Sequence, residues 1–505
     1  MLASPALSPA LPSLRPARWL LLPALVVLGD RLFYGHAVGV SLALFLAALA
    51  VTVPLANPVR RDARSLSVAL ILLVLGLLPL VEDAGVLAVL FGIGGLIAFA
   101  VIVTGGLAPG WAATLAAMRR MLVAGPFQIG FDAAAGLHRP VAMVRGWRVE
   151  SVVGWVLPVL LTGLFGALFA SANPLIDAWL NDLPRLSLEP KIAPGRLFAW
   201  GLLAALAWPF VAFRLRHRAP KAPTTATPAT ATPAPIAMLD PTVIGRCLVL
   251  FNLLFAVQSG LDLLYLWGGL ALPDGLTYAA YAHRGAYPLI ATALLAAAFV
   301  LIAMGPGGAG ERSTLIRRLV CLWIGQNVLL VVSAILRLDL YVAVYSLTLV
   351  RAAAFVWMGL VAIGLLLIVA RIALRRSNRW LVAMNGIVLL VVLYGCALAN
   401  FSAIVSTYNV EHSRELCGAG EAFDLGYAMD LGSEAIPAVD RFFPYAFGYD
   451  LNVAAKWRAN HVEQAKKPAD WRGWSFRRYR LERYLERRPF APLTLHPMFK
   501  NPDIR

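Results

Sequence analysis

What most constrains this chain is a succession of apolar runs, each close in length to one membrane crossing. About 20 helical residues cross the ~30 Å hydrocarbon layer of a bilayer. Runs of this kind fall at 18–35, 38–56, 66–82, 85–106, 150–171, 196–214, 243–266, 286–304, 313–336, 342–371 and 378–401. The first is the weakest, because Pro23, Asp30 and Arg31 interrupt it. The tenth is longer than one crossing needs and is expected to tilt or to extend past the membrane. Composition supports the same solvent. Hydrophobic residues make up 60% of the 505 and charged ones 14%, where a soluble domain carries about 25%. Too few charges remain to cover a surface in water. The expected fold class is all-α: a polytopic transmembrane helical bundle of about eleven spans with a small C-terminal extracytoplasmic helical tail.

Basic residues recur in alternate connections. Arg15 and Arg18 precede the first run, and Arg60, Arg61 and Arg64 follow the second. Arg119, Arg120, Arg139, Arg145 and Arg148 follow the fourth, and Arg214, Arg216, Arg218, Lys221 and Arg246 flank the connection after the sixth. Arg312, Arg317 and Arg318 follow the eighth, and Arg371, Arg375, Arg376 and Arg379 the tenth. The other connections hold only Arg31, Arg185, Lys191, Arg196, Arg284 and Arg337. Cytoplasmic loops are the ones enriched in Lys and Arg. The expected N-terminus is therefore cytoplasmic and the C-terminus outside, with the first run kept as an uncleaved span, since no small-residue cleavage site follows it. The same loop arginines account for the net charge of +17. They face anionic lipid, and no nucleic-acid-binding motif accompanies them.

Four segments follow. Residues 1–214 form an N-terminal membrane half of about six spans, with a cytoplasmic segment at 107–149 whose Trp111, Phe127 and Trp147 among arginines suit an interfacial amphipathic helix. An ordinary loop helix on the bundle floor fits that composition equally well. Residues 215–240 are a cytoplasmic linker rich in Pro, Ala and Thr, which cannot bury a core. Residues 241–401 form a C-terminal membrane half of about five spans. Residues 402–505 are an extracytoplasmic tail, with a helix boundary marked by Ser433, Ile436 and Pro437. The expected partners are the lipid bilayer and other membrane or periplasmic proteins, with no nucleic acid.

No signature of catalysis stands out. A Walker-type phosphate loop, HExxH, GxSxG and a Rossmann glycine pattern are all missing from the sequence. Gly92, Gly94 and Gly95 lie within a span, where glycine lets helices approach. Cys247, Cys321, Cys396 and Cys417 have no metal or disulfide spacing and read as small buried hydrophobes. No cofactor or metal is expected.

The informative residues are polar groups within or beside spans, which are costly there and face a bundle interior or a cavity. In the seventh run Gln258, Asp262 and Tyr265 share one helix face, with Asn252 and Ser259 on a neighbouring one. His283 and Arg284 follow in an outer loop with Asp274, Tyr278 and Tyr281. Gln326 and Asn327 lie in the ninth run, Arg337 and Asp339 in the next outer turn, Arg351 in the tenth run and Asn400 at the end of the eleventh. One reading is an outward-facing polar pocket covered by the 273–285 loop. The other is a buried pair, Asp262 with Arg351 or Asp262 with Arg337, that sets helix register. Arg351 is the one cation well inside a run, so the expected partner of Asp262 is Arg351, directly or through Gln326, Asn327 or water.

These residues also carry a family resemblance. FNLLFAVQSGLDLLYLWGG with LPDGLTYAAYAHRGAYPLIATALLAAAFVLIAM, DRLFYGHAVGVSLALFLAAL near the start, and YNVEHSREL, LGSEAIPAVD and DWRGWSFRRYRL in the tail resemble the bacterial membrane family known as domain of unknown function 4173, related to family 4153. The resemblance implies a bacterial inner-membrane protein and transfers no activity. The expected role is sensing, scaffolding or transport through the outer polar layer. The competing role is an enzyme on a lipid or lipid-linked substrate, with Asp262 or His283 as base and Arg284 or Arg351 holding a phosphate or carboxylate.

Overall fold

The computed structural model describes residues 18–59, 62–105, 111–130, 132, 194–213, 241–264, 313–418, 420–466 and 470–488. The described residues are helical, without strands. Six helices are long and apolar enough to cross a membrane, so about eleven crossings are not established. The runs at 150–171 and 286–304, the 219–237 linker, the 273–285 loop and the later part of 107–149 lie outside the described residues. The chain divides into two compact units, residues 1–219 with 469–476, and residues 220–468 with 477–505.

In the first unit, α1 (Arg18–Phe33), α2 (Val40–Ala56), α3 (Ala63–Glu82) and α4 (Val86–Gly105) follow one another through short connections. The tightest pair is the α3–α4 hairpin. Gly76 and Gly95 meet backbone to backbone: a Cβ on Gly76 would lie 2.7 Å from the Phe91 carbonyl oxygen and 2.9 Å from Gly95 Cα. Gly92 admits the side chains of Leu80 and Leu46, whereas nothing approaches Gly94. Helix α5 (Trp111–Ala124) occupies part of the expected interfacial segment. Helix α6 (Pro194–Val211) packs on α1 and α2. Asn57, buried at the end of α2, donates to the carbonyls of Val53 and Phe210 and accepts from the Phe213 amide. That one amide satisfies backbone groups left open at two helix ends.

In the second unit, α7 (Pro241–Asp262) packs on α8 (Thr314–Tyr345), followed by α9 (Leu349–Ala373) and α10 (Asn378–Leu398). Leu250, Leu254, Val382 and Val391 are exposed on these helices. Of the most apolar stretch of α10 only 11% is buried, and apolar surface so bare is stable facing lipid.

Helix α8 differs from expectation. Its 32 residues amount to roughly 48 Å at 1.5 Å rise, and it runs straight through the turn expected near 337–341. No Gly or Pro lies between Leu336 and Tyr345, so nothing in the backbone stops the helix there. It ends at Ser346, which adopts a φ of 64°. Arg337 and Asp339 are therefore helical residues rather than turn residues.

The tail continues as α11 (Phe401–Glu411), α12 (Arg414–Cys417), α13 (Leu425–Asp430), α14 (Ile436–Phe442), α15 (Gly448–Lys466) and α16 (Phe476–Arg487). A 3-10 turn, Ser433–Ala435, leads into α14, at the boundary read from Ser433 and Pro437. Val410, Phe423, Leu425, Val439, Phe442 and Ala454 form its core. Asp440 binds this core together, accepting from Arg458 at 2.5 and 3.0 Å and from the Tyr484 hydroxyl at 3.0 Å.

Candidate functional site

The polar residues of the seventh and ninth runs meet along the seam between α7 and α8. The two helices run parallel. Ile244 and Leu248 pack with Ile316 and Val320, Phe251 stacks on Trp323, and Asp262 reaches Arg337. The end of α7 and the start of α8 consequently lie at opposite ends of the pair.

Along the seam the polar groups form rungs. Asn252 donates to the Leu248 carbonyl at 2.7 Å and across to that of Leu319 at 3.1 Å. Gln326 returns a bond of 3.1 Å to the Asn252 carbonyl. Asn327 donates to Trp323 O at 2.8 Å within its own helix. Ser259 and Ser333 are buried farther along. The acceptor oxygens of Asn252 and Gln326 and the Ser259 hydroxyl are buried and make no hydrogen bond among the described residues. The seam therefore holds unspent polar capacity away from water, which carries a desolvation cost.

At its far end lies the ion pair. Asp262 is 1% exposed and Arg337 6% exposed, and the guanidinium contacts the carboxylate directly. Gln258 donates to the same carboxylate at 3.1 Å, one helical turn back. The sharing of one face by Gln258 and Asp262 thus has a physical use. A buried charge demands a counter-charge and hydrogen bonds, and α7 and α8 supply both.

The expected pairing of Asp262 with Arg351 is not formed. Arg351 sits in the first turn of α9, where Thr348 caps the helix by accepting from the Arg351 amide at 3.3 Å. Its guanidinium turns back to the Tyr345 and Ser346 carbonyls and lies 4.5 Å above the Tyr341 ring. Helix ends leave carbonyls unsatisfied and partly negative, so Arg351 finds compensation at the end of α8 without a carboxylate. Asp339 is exposed on α8, outside the seam. Tyr265, His283 and Arg284 lie outside the described residues.

A second concave region lies in the tail. A cleft of about 640 Å³ runs between α11 and α16, with Asn400, Tyr408, Glu434, Arg477, Arg480 and Tyr484 among its walls. Asn400 donates to Glu434 at 2.6 Å, and Arg477 donates to Ala399 O at 3.2 Å. The opposite side of α11 docks on the turn between α8 and α9. Asn409 makes two bonds with the backbone of Leu347, at 2.7 and 2.8 Å, and Val405 packs with Val342, Leu347 and Ala352. Tyr427 of α13 accepts from the Leu349 amide at 2.9 Å. Sequence reasoning placed Asn400 in the outer layer but found neither the cleft nor the dock, whose residues are ordinary polar ones in the tail.

A further ion pair, with a buried carboxylate and a partly exposed guanidinium, was also missed. Asp30 of α1 accepts from Arg196 at 2.8 and 2.5 Å and from the Trp200 indole at 2.8 Å, and Arg196 lies 5.1 Å over the Tyr34 ring. Asp30 reads in the sequence as an interruption of a weak span. The demand for a counter-charge that singled out Asp262 applies to it equally, and Arg196 opens the sixth run.

A family model described as Domain of unknown function (DUF4153) matches residues 69–442, from α3 through α14. This is the relative of the family that the sequence stretches resemble; the 4173 name itself is not shown. No curated protein and no solved structure matches the chain.

Proposed function

We propose that this chain, which belongs to the DUF4153 family, is a multi-pass membrane protein that senses through its tail and does no chemistry at its buried charges. The observation that carries this reading is the position of α11. One side of it lines the tail cleft and the other is bonded to the turn between two apolar helices. A ligand that shifts α11 would therefore bear on the ends of α8 and α9. A coupling of this kind needs two arrangements of a packed element, biased by the ligand.

The finer topology belongs to the same proposal: about eleven spans, a cytoplasmic N-terminus and an outer tail, in a bacterial inner membrane. The recurring loop arginines support it. So does the parallel run of α7 and α8, which places the end of one and the start of the other at opposite ends. The enzyme reading would need a titratable base and an anion-binding arginine converging on one cavity. The engagement of Asp262 with Arg337, and of Arg351 with helix-end carbonyls, weighs against it.

The test is complementation of a gene-deletion strain. Ile404→Trp, which fills the cleft, and Asn409→Ala, which releases the turn, should each lose complementation while the protein remains inserted. The double variant Asp262→Leu with Arg337→Leu should retain it. Loss confined to the double variant would overturn the sensor reading and point to chemistry at Asp262.

A further inference from the structure

The segment that leaves α14 carries an uncharged aromatic run, Phe442, Phe443, Pro444, Tyr445, Ala446, Phe447, Gly448 and Tyr449. Phe442 and Ala446 turn into the tail core. Tyr445 turns out, and Phe447 and Tyr449 are each 80% exposed. Gly448, at φ 56°, makes the turn that separates the last two rings. Three large rings bared within five residues are unusual for a surface in water, where contiguous apolar patches mark interaction sites.

Their place in the fold identifies what they meet. Two residues separate the end of α10 from the start of α11, and α11 reaches the α8–α9 turn through Asn409. Both of its ends rest on the ends of apolar helices, so α11 lies across the end of that bundle. Helix α14 runs beside it in the same direction: Glu434, just before α14, meets Asn400, and Arg441 pairs with Glu411. The 442–449 run therefore emerges where α11 finishes, at the level of the helix ends. At that level the first turn of α9 bares Leu349 and Val350, side chains whose natural surroundings are lipid. Tyrosine in particular collects where its ring is buried and its hydroxyl wet, at the boundary between headgroups and hydrocarbon.

We infer that Tyr445, Phe447 and Tyr449 form an interfacial anchor that inserts into the headgroup region of the bilayer and holds the tail against the membrane. The inference rests on the membrane reading of the apolar helices. The anchor is neutral, because Arg441 is already paired with Glu411. Its binding is therefore carried by apolar burial and should depend little on anionic lipid or salt.

The experiment uses the full chain in phosphatidylcholine nanodiscs, with the four native cysteines replaced by serine and one fluorophore placed through Phe447→Cys, Tyr449→Cys, Val391→Cys or Glu463→Cys. Val391 is exposed midway along α10 and Glu463 is exposed on α15. Lipids with a nitroxide near the headgroup should quench labels 447 and 449 strongly and leave 463 bright, while aqueous iodide should do the reverse. Label 391 should be quenched by nitroxide placed deep in the acyl chain. If 447 and 449 behave like 463, the anchor is refuted. If they are shielded from iodide but not quenched by lipid, a protein covers them and the anchor is likewise refuted. Failure of deep quenching at 391 would overturn the membrane reading itself. The double change Tyr445→Ser with Phe447→Ser should raise iodide access at 449 without altering helical content.

Discussion

At the scale of single residues, Arg337 and Arg351 of the second unit are compensated by different means. Arg337 is compensated by a carboxylate, and Arg351 by carbonyl dipoles and an aromatic face. Their losses should differ accordingly. Asp262→Asn removes the carboxylate that faces buried Arg337, and breaking such a pair typically costs ~3–5 kcal/mol. Asp262→Leu with Arg337→Leu should recover most of that, since two apolar side chains replace two desolvated charges. Arg351→Leu forfeits charge-assisted bonds at a helix end, worth about 1–3 kcal/mol. Unfolding by graded denaturant in detergent micelles measures all three. A double variant as unstable as Asp262→Asn alone would show that the pair does more than neutralise itself.

At the scale of elements, the α3–α4 hairpin depends on two glycines that face each other. A methyl on Gly76 or Gly95 would run into backbone atoms, which cannot swing aside as a side-chain tip can. Gly76→Ala and Gly95→Ala should each cut the yield of monodisperse protein, while Gly94→Ala, with nothing within 4 Å, should leave it unchanged. Size-exclusion profiles after extraction distinguish them. The run of glycines at 92–95 reads in the sequence as a packing signal. Which glycines pack, and against what, depends on the rotation of α4 about its axis, and Gly94 points away from the contact. Elements were otherwise well announced: described helices overlie nine of the eleven apolar runs. Helix α8 overran its expected end because hydropathy marks where a chain is apolar, whereas the helix continued through Arg337 and Asp339 to the first residue that broke its dihedrals.

At the scale of the whole molecule, residues 469–476 of the tail belong to the first unit. There the Val40 amide donates to Trp474 O at 2.8 Å, and His36 lies 2.6 Å from Asp470. A Cβ on Gly39 would lie 2.5 Å from the Gly473 carbonyl carbon, and one on Gly473 would lie 3.0 Å from Ala37 Cβ. Partial burial opposes ionisation of Asp470, but hydrogen bonds from Arg472 and the charges of Arg472 and His36 outweigh it and hold its pKa below the ordinary carboxylate value. A carboxylate with a lowered folded-state pKa stabilises above its unfolded value, near ~3.9. That contribution is lost as pH falls through the folded one. Hydrogen exchange at the Val40 amide, corrected for the intrinsic pH dependence, should therefore accelerate as pH falls from about 5 to below about 4. Asp470→Asn should remove that acid step, and an unchanged step in the variant would assign it to another group. The proposed topology is checked by fusions. A reporter active only in the periplasm should work after Arg505 and be silent within 219–237, and activity in the linker would sink the assignment.

By itself the sequence determined the apolar character, the helical class, the approximate place of the described helices and the change of character after Phe401, because each of these follows from local composition and from the length of the apolar runs. It also determined that Asp262 must have a partner, since an isolated carboxylate in an apolar helix is too costly to leave alone. Only the tertiary structure decided that the partner is Arg337. That choice depends on the depth at which α8 continues, the face it turns to α7 and the parallel direction of the two, and none of these is encoded in the spacing of residues along one segment. For the same reason the cleft and the dock on either side of α11 were invisible beforehand: they are made of residues distant in the chain, and they exist only once the tail has folded back on the ends of the helices.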